Sequence, residues 1–134
     1  MSSQTKTRPD KHHYHGHRAR LRARFLQGGA AALQDYELLE LLLTFAIPYS
    51  DVKPLAKTLI AHFGSFGQVL DAPLEALLEI TAHVENQGRS REMRLTEFSA
   101  TLIRLVKSCF ETYLKEAALM RQRIPSLEVL VDYC

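Results

Sequence analysis

The segment DYELLELLLTFAI, residues 35–47, constrains the fold more than any other part of the chain. Within it, the polar residues Glu37, Glu40 and Thr44 recur at spacings of three and four, and most other positions are apolar. One narrow polar stripe on an otherwise apolar cylinder predicts a helix that is buried on most of its sides. Pro48 cannot continue this helix. Such a helix needs several neighbours, which we expect to be amphipathic helices packed around it.

The flanking segments carry helical periodicity together with ordinary helix start and stop signals. Gly28 and Gly64 are expected to end helices, and Pro54 is tolerated because it lies in a first turn. Residues 81–92 form a polar break. The predicted fold class is therefore all-α, a compact bundle of about five to six helices. The predicted helices cover residues 17–27, 35–47 and 51–63, two short segments after Ser65 and Pro73, and a long C-terminal stretch from about Arg91 to about Gln122.

The positive charge of the chain is concentrated near its beginning. The net charge is +2 over 134 residues, yet residues 1–25 alone carry about +6. A basic head on a mildly acidic body indicates an anionic ligand, which could be nucleic acid, an acidic partner or a membrane surface. Two cysteines and the lack of an apolar run of transmembrane length indicate a reduced, cytoplasmic protein that does not cross a membrane.

The first predicted helix is the main candidate for binding phosphate. Its arginines form two i,i+4 pairs on either side of a narrow apolar seam made by Leu21 and Phe25. Guanidinium groups suit phosphates because their planar fork donates two parallel hydrogen bonds. The alternative is a solvated basic face that pairs with acids of the body such as Glu37 and Glu40. The arginine pairs are Arg18 with Arg22 and Arg20 with Arg24.

Four histidines precede these arginines within six residues, which raises the question of a metal site. Imidazole is the commonest metal ligand in proteins. However, no Cys, Asp or Glu stands at ligand spacing, and an arginine follows at once. We therefore predict no metal and no cofactor, and a partly cationic lead into the basic helix that binds anions better below about pH 6.5. The histidines are His12, His13, His15 and His17.

A long run of this sequence resembles the N-terminal domain of RadC-family proteins. The resemblance covers about residues 14–80 without a gap and is carried by HR at 17–18, LRARFLQGGAAAL at 21–33, DYELLELLLTFAIP at 35–48 and DVKPLAKTLIAHFGSF at 51–66. It implies an all-helical domain that is normally followed by a JAMM/MPN metallopeptidase-like domain bearing the zinc-ligand motif HxHPSG. That motif does not occur here. We therefore expect no catalytic residue and no enzymatic activity from this chain.

The resemblance also suggests a division of the chain into three parts. Residues 1–13 are expected to form a disordered basic lead-in, because they are polar and lack periodicity. Residues 14–122 would form the RadC-like helical domain. Residues 123–134, with the apolar run SLEVLVDYC, are expected to be the truncated start of a following MPN-like domain.

Family members are expected to carry a helix-hairpin-helix after the position of Ile80. In that motif, backbone N–H groups of a glycine-flanked turn and the next helix N-terminus hold a DNA phosphate. The sequence TAHVENQGRSREM keeps only Gly88 of the glycine signature, so we expect a degenerate hairpin. Arg89 and Arg91 would still be basic there, and Ser90 could cap the long helix.

The expected function is weak, sequence-independent nucleic-acid binding through phosphate contacts, of the kind associated with DNA repair and recombination proteins. The alternative is a non-enzymatic interaction module, which would form a homodimer or bind a partner protein through the helix at residues 95–120. The wide apolar stripe of that helix favours the alternative. The candidate nucleic-acid-binding residues are His17, Arg18, Arg20, Arg22, Arg24, Lys53, Lys57, Arg89 and Arg91.

Overall fold

The computed structural model describes the backbone of residues 9–123, with side chains described from His15 onward apart from Asn86. The expectations for residues 1–8 and 124–134 therefore lie outside the described residues. The element order is α1 (Pro9–Gly28), a 3₁₀ turn (Ala30–Ala32), α2 (Asp35–Thr44), α3 (Lys53–Phe63), α4 (Phe66–Asp71), α5 (Leu74–Glu79), β1 (Thr81–Asn86), β2 (Arg89–Arg94) and α6 (Glu97–Arg123).

Helix α2 lies at the centre of the domain, as its sequence predicts. Leu39 and Leu43 are fully buried and pack in one core with Leu55 and Leu59 of α3. The core continues through α4, α5 and the start of α6. Its remaining buried members are Ile47, Val52, Ala56, Val69, Ala72, Leu77, Ile80, Ala82, Met93, Leu95, Ala100 and Ile103.

Helix α1 begins earlier than predicted. It starts at Pro9, eight residues before the expected start, so residues 9–13 are helical and not part of a disordered lead-in. Proline is favoured at a first helical position because its fixed φ suits the helix and its missing N–H would be unpaired there in any case. The helix then runs to Gly28, where the Gly29 N–H still bonds to the Phe25 carbonyl at 2.7 Å.

The prediction of an all-α fold was wrong for residues 81–94, which form an antiparallel β-hairpin. Ala82 pairs with Met93, and both side chains join the core. Gln87 and Gly88 have φ values of 52° and 77°, which is the left-handed pair that a two-residue hairpin turn needs. The expected helix-hairpin-helix is therefore replaced here by strands. Ser90 lies within β2 and caps no helix.

The predicted long C-terminal helix is present, but it starts at Glu97 and not near Arg91. Its first turn is capped reciprocally: Ser99 N–H donates to Thr96 Oγ1 at 3.1 Å, and Thr96 N–H donates to Ser99 Oγ at 2.8 Å. Ser99, Ala100 and Ile103 are its buried residues. Beyond Lys107, which pairs with Asp71 at 3.0 Å, nearly every described side chain of α6 is exposed.

None of the described helices is both long enough and apolar enough to span a lipid bilayer.

Candidate nucleic-acid interface

Helices α1 and α2 pack antiparallel, and two pairs of side chains join them. His17 near one end of the contact meets Glu40, and Arg24 near the other meets Glu37. The polar stripe that the sequence places on α2 is therefore covered by α1, and both glutamates are buried. For Arg24, this arrangement matches the alternative in which arginines of α1 pair with acids of the body.

Glu40 is the more deeply buried acid, with 1% of its surface exposed. His17 Nε2 lies 2.9 Å from Glu40 Oε2, whereas no hydrogen-bond partner among the described residues reaches Oε1. Burial raises the pKa of the Glu40 carboxyl above its ordinary value, because the charged form loses hydration. The charges and hydrogen bond of His17 offset part of that rise. Among the described residues, Glu40 is thus a buried acid with one paired and one unpaired oxygen.

The pKa of the Glu37 carboxyl shifts in the opposite direction to that of Glu40. Both terminal nitrogens of Arg24 donate to its carboxylate, at 3.0 and 2.9 Å, and Nη2 of the same arginine also donates to the Ala32 carbonyl at 3.1 Å. The hydrogen bonds from Arg24 lower the pKa of the Glu37 carboxyl, with a further contribution from the Gln34 N–H. Arg24, predicted to face phosphate, therefore already holds a carboxylate in a bidentate pair.

Arg18 was predicted to contact phosphate, and the structure instead turns its guanidinium group inward. Only 8% of its surface is exposed. Nη2 donates to the carbonyl of Ile47 at 2.8 Å and to the carbonyl of Ser50. Both acceptors belong to the loop between α2 and α3. Because loop carbonyls have no helical partner, a buried guanidinium satisfies them, and Arg18 acts as a clamp that fixes this loop.

The other predicted cations remain at or near the surface. Arg20 and Arg22 are exposed on α1, and neither takes part in an ion pair within residues 15–123. The ammonium groups of Lys53 and Lys57 lie 6.0 and 4.9 Å from the centre of the Tyr36 ring. Such contacts leave the charge of each lysine in place.

The hairpin supplies two further cations, and one of them meets the clamped loop. Arg91 Nη2 donates to Ser50 Oγ at 2.8 Å. Arg89 shares the strand face of Arg91, since side chains two residues apart point the same way. Ser50 is therefore held by Arg18 from α1 and by Arg91 from β2. The structure thus brings α1, the α2–α3 loop and the hairpin together at Ser50.

Sequence reasoning also missed two aromatic side chains on this loop. Phe45 and Tyr49 are each 70% exposed. The predicted helix over residues 35–47 includes Phe45 in its apolar run. The signal that it would be exposed was weak: the helix ends at Thr44, so helical periodicity no longer applies to the next residue.

Across residues 15–123, no group of three His, Cys, Asp or Glu side chains could hold a metal ion. His12 and His13, two of the four clustered histidines, lie where side chains are not described.

Comparison with known proteins gives a consistent family assignment. A family profile described as UPF0758 N-terminal matches residues 15–87. A UPF0758 protein of Ruegeria pomeroyi is 42% identical over 118 residues, which is 88% of this chain and 47% of that protein. A UPF0758 protein of Rhodobacter capsulatus is 45% identical over 114 residues, which is 85% of this chain and 48% of that protein. The chain thus spans about half the length of these relatives. No solved structure matches it significantly.

Proposed function

Because the chain belongs to the UPF0758 family, whose N-terminal domain is the part that resembles RadC proteins, we propose that it is a module that binds nucleic acid weakly and without sequence preference. It acts by binding and carries out no chemistry of its own. The observation that supports this proposal most strongly is that Arg20, Arg22, Arg89 and Arg91 are exposed and form no ion pair among the described residues.

The cations proposed to contact phosphate are those that the fold leaves exposed. They are Arg20 and Arg22 on α1, Lys57 on α3, and Arg89 and Arg91 on β2, joined by the partly exposed Lys53 at the start of α3. Four phosphate contacts would lower the affinity roughly 50- to 150-fold between about 50 and 200 mM salt, because each contact releases counterions. His17, Arg18 and Arg24 stabilise the fold under this proposal and do not face the ligand.

The test is a fluorescence-anisotropy titration of labelled oligonucleotides at low and physiological salt. The informative variant is R20Q/R22Q/R89Q, since these three side chains are exposed and make no ion pair within the described residues. We expect binding at low salt that this variant weakens at least tenfold. The matched control is K115Q/R121Q/R123Q, which removes the same charge from the far half of α6. Equal losses in both variants, or no binding at low salt, would contradict the proposal.

A second candidate function is protein–protein association through α6. Its 27 residues span about 40 Å. The half beyond Lys107 carries large apolar side chains with about half or more of their surface exposed. This surface comprises Phe110 57%, Tyr113 68%, Leu114 48%, Leu119 46% and Met120 51%, with Leu105 55% at its border. A helix with an exposed apolar stripe is typical of an element that packs against a second copy or another domain.

Sedimentation velocity tests this second candidate. If α6 mediates a homodimer, the chain sediments as a dimer, and L105Q/F110Q/L114Q converts it to a folded monomer. The exposure of these residues predicts that the variant keeps its helical circular dichroism. A monomeric wild-type chain would exclude the homodimer, and the following domain of the longer relatives would then be the partner to test.

A further inference from the structure

We infer that the α2–α3 loop is a platform on which the bases of single-stranded nucleic acid stack, with Phe45 and Tyr49 as the stacking side chains. This inference rests on the proposed function and adds a ligand class to it. Phosphate contacts alone do not distinguish single strands from duplexes. Aromatic rings do distinguish them, because a base must leave its stack before a protein ring can cover its face.

The exposure of the two rings is the first support for this inference. Buried aromatic side chains contribute strongly to folding because each covers a large apolar area. Phe45 and Tyr49 forgo most of that contribution, with 70% of each surface in solvent. They lie four positions apart in one loop, and Pro48 between them is exposed as well. Large apolar surface displayed together on a loop indicates a surface that binds something.

The second support is that the loop backbone is fixed in advance. The N–H groups of Phe45 and Ala46 bond to carbonyls of the last turn of α2, at 3.2 and 3.0 Å. Arg18 holds the Ile47 and Ser50 carbonyls from beneath. Rings on a clamped backbone lose little conformational entropy when a ligand covers them, which makes stacking more effective. Arg18 thus fixes the α2–α3 loop in one conformation before a ligand binds.

The third support is the charge beside the rings. Arg91 reaches the loop at Ser50, and Arg89 shares its strand face, whereas Glu92 points to the opposite face of the hairpin. Lys53 begins the helix that follows the loop. The acid of the loop is Asp51, whose Oδ1 accepts the Lys53 N–H at 3.1 Å. Arg91 and Lys53, which adjoin this loop, therefore outnumber the single acid within residues 45–52, Asp51.

This combination favours single-stranded nucleic acid over a protein partner. Interleaved aromatic and basic side chains match a ligand in which apolar bases alternate with anionic phosphates along a flexible strand. Successive bases could cover Phe45 and Tyr49 while the intervening phosphates meet Arg91 and Lys53. A protein surface would need no such alternation. Salt-dependent affinity that also depends on bases is the distinguishing property.

The experiment compares three fluorescent probes of equal length with the full chain at low salt: oligo-dT, an abasic oligomer with the same phosphate backbone, and a duplex. The expected result is that oligo-dT binds more tightly than the abasic oligomer, by about tenfold for each ring that stacks. The variant F45A/Y49A should lower the affinity for oligo-dT to that of the abasic oligomer. Its affinity for the abasic oligomer and for the duplex should not change.

Controls make the outcomes distinct. The variant L26A/F98A removes two other exposed apolar side chains, 75% and 72% exposed, and should bind like the wild type. The conservative variant F45Y/Y49F keeps both rings and should retain the preference for oligo-dT.

Salt-sensitive binding that is equal for oligo-dT and the abasic oligomer would overturn the stacking inference and leave the proposed function intact. Absence of binding by all three probes would overturn both. Loss of self-association in F45A/Y49A, without loss of oligo-dT affinity, would assign the rings to a protein contact and overturn the inference.

Discussion

The contact between His17 and Glu40 predicts how removing His17 changes the free energy of unfolding, and how that change depends on pH. The variant H17A removes the partner of Glu40 Oε2 and leaves the buried carboxylate with neither oxygen paired among the described residues. Leaving a buried acceptor unpaired costs about 1–3 kcal/mol, and more when the group is charged. We expect a loss of about 3 kcal/mol. Water limits this loss, because the side chain of His17 is 27% exposed and its removal opens that space to solvent.

The direction of the pH dependence follows from the Glu40 carboxyl. Its pKa is raised by burial, and His17 offsets part of the rise. Without His17 the pKa rises further, so the folded variant takes up a proton at a pH where the unfolded chain remains ionised. Stability of H17A therefore increases as the pH falls through that raised pKa towards the ordinary value of a glutamate. The deficit relative to the wild type is largest at neutral pH and shrinks on acidification.

Urea unfolding followed by helical circular dichroism measures this effect. A loss of about 3 kcal/mol corresponds to a fall of about 1–2 M in the urea midpoint for a protein of this size. The double variant H17A/E40Q replaces the charge with a neutral side chain of the same shape and should recover more than half of the loss at about pH 8. The reasoning fails if H17A is equally destabilised at about pH 8 and pH 5, or if E40Q brings no recovery in the H17A background.

Three further predictions concern the fold. G88A should lower the free energy of unfolding by about 1–2 kcal/mol in a urea titration, because φ is 77° at this position and alanine is strained there; G88N should cost less. I103A should lower the free energy of unfolding by about 2–5 kcal/mol, because Ile103 is buried. F98A should lower it by under about 1 kcal/mol, because Phe98 is 72% exposed. The reverse order would contradict the observed orientation of α6, which buries Ile103 and leaves Phe98 exposed. Arg24 lowers the pKa of Glu37, and the stability that this pair contributes disappears as Glu37 protonates on acidification. E37Q should therefore lose less stability than the wild type between neutral pH and about pH 3. An acid profile identical to that of the wild type would exclude this role.

The elements that sequence reasoning located correctly are those with local determinants. Polar residues at spacings of three and four identified α2, and Pro54 and Gly64 identified the ends of α3. Each of these signals acts within one or two helical turns, so it can be read without knowing the rest of the fold. The core of α2 and α3 followed from the same periodicity.

Neither the β-hairpin nor the face of α6 that is buried could be predicted from such local signals. Gln87 is not a typical residue for a positive φ, and the strands around it are largely polar, so the turn had no strong signature. On α6 the small residues Ser99 and Ala100 allow close approach to α4 and α5, which turns the larger Phe98 outward. Packing against elements distant in sequence decided both features, and local hydrophobicity did not.

The arginines of α1 show why charge counted from sequence overstates the charge available to a ligand. Arg18 and Arg22 form an i,i+4 pair and look equivalent in the sequence, yet one is buried beneath a loop and the other is exposed. The difference arises from carbonyl groups at Ile47 and Ser50, about thirty residues away. Removing a guanidinium that satisfies buried carbonyls leaves them unpaired, at a cost of about 1–3 kcal/mol for each carbonyl.

Because only some arginines of α1 are available to a ligand, the candidate interface cannot consist of α1 alone. If α1 were the binding element, substituting all four of its arginines would be the natural test, but R18Q and R24Q would also release the loop and the Glu37 contact. Loss of binding in such a variant would therefore report unfolding as readily as lost phosphate contacts. By contrast, substituting Arg20, Arg22, Arg89 or the two rings of the α2–α3 loop breaks no hydrogen bond or ion pair to a buried side chain of the described residues. Binding that survives substitution of Arg20, Arg22 and Arg89 would place the function elsewhere, with the apolar face of α6 as the next surface to test.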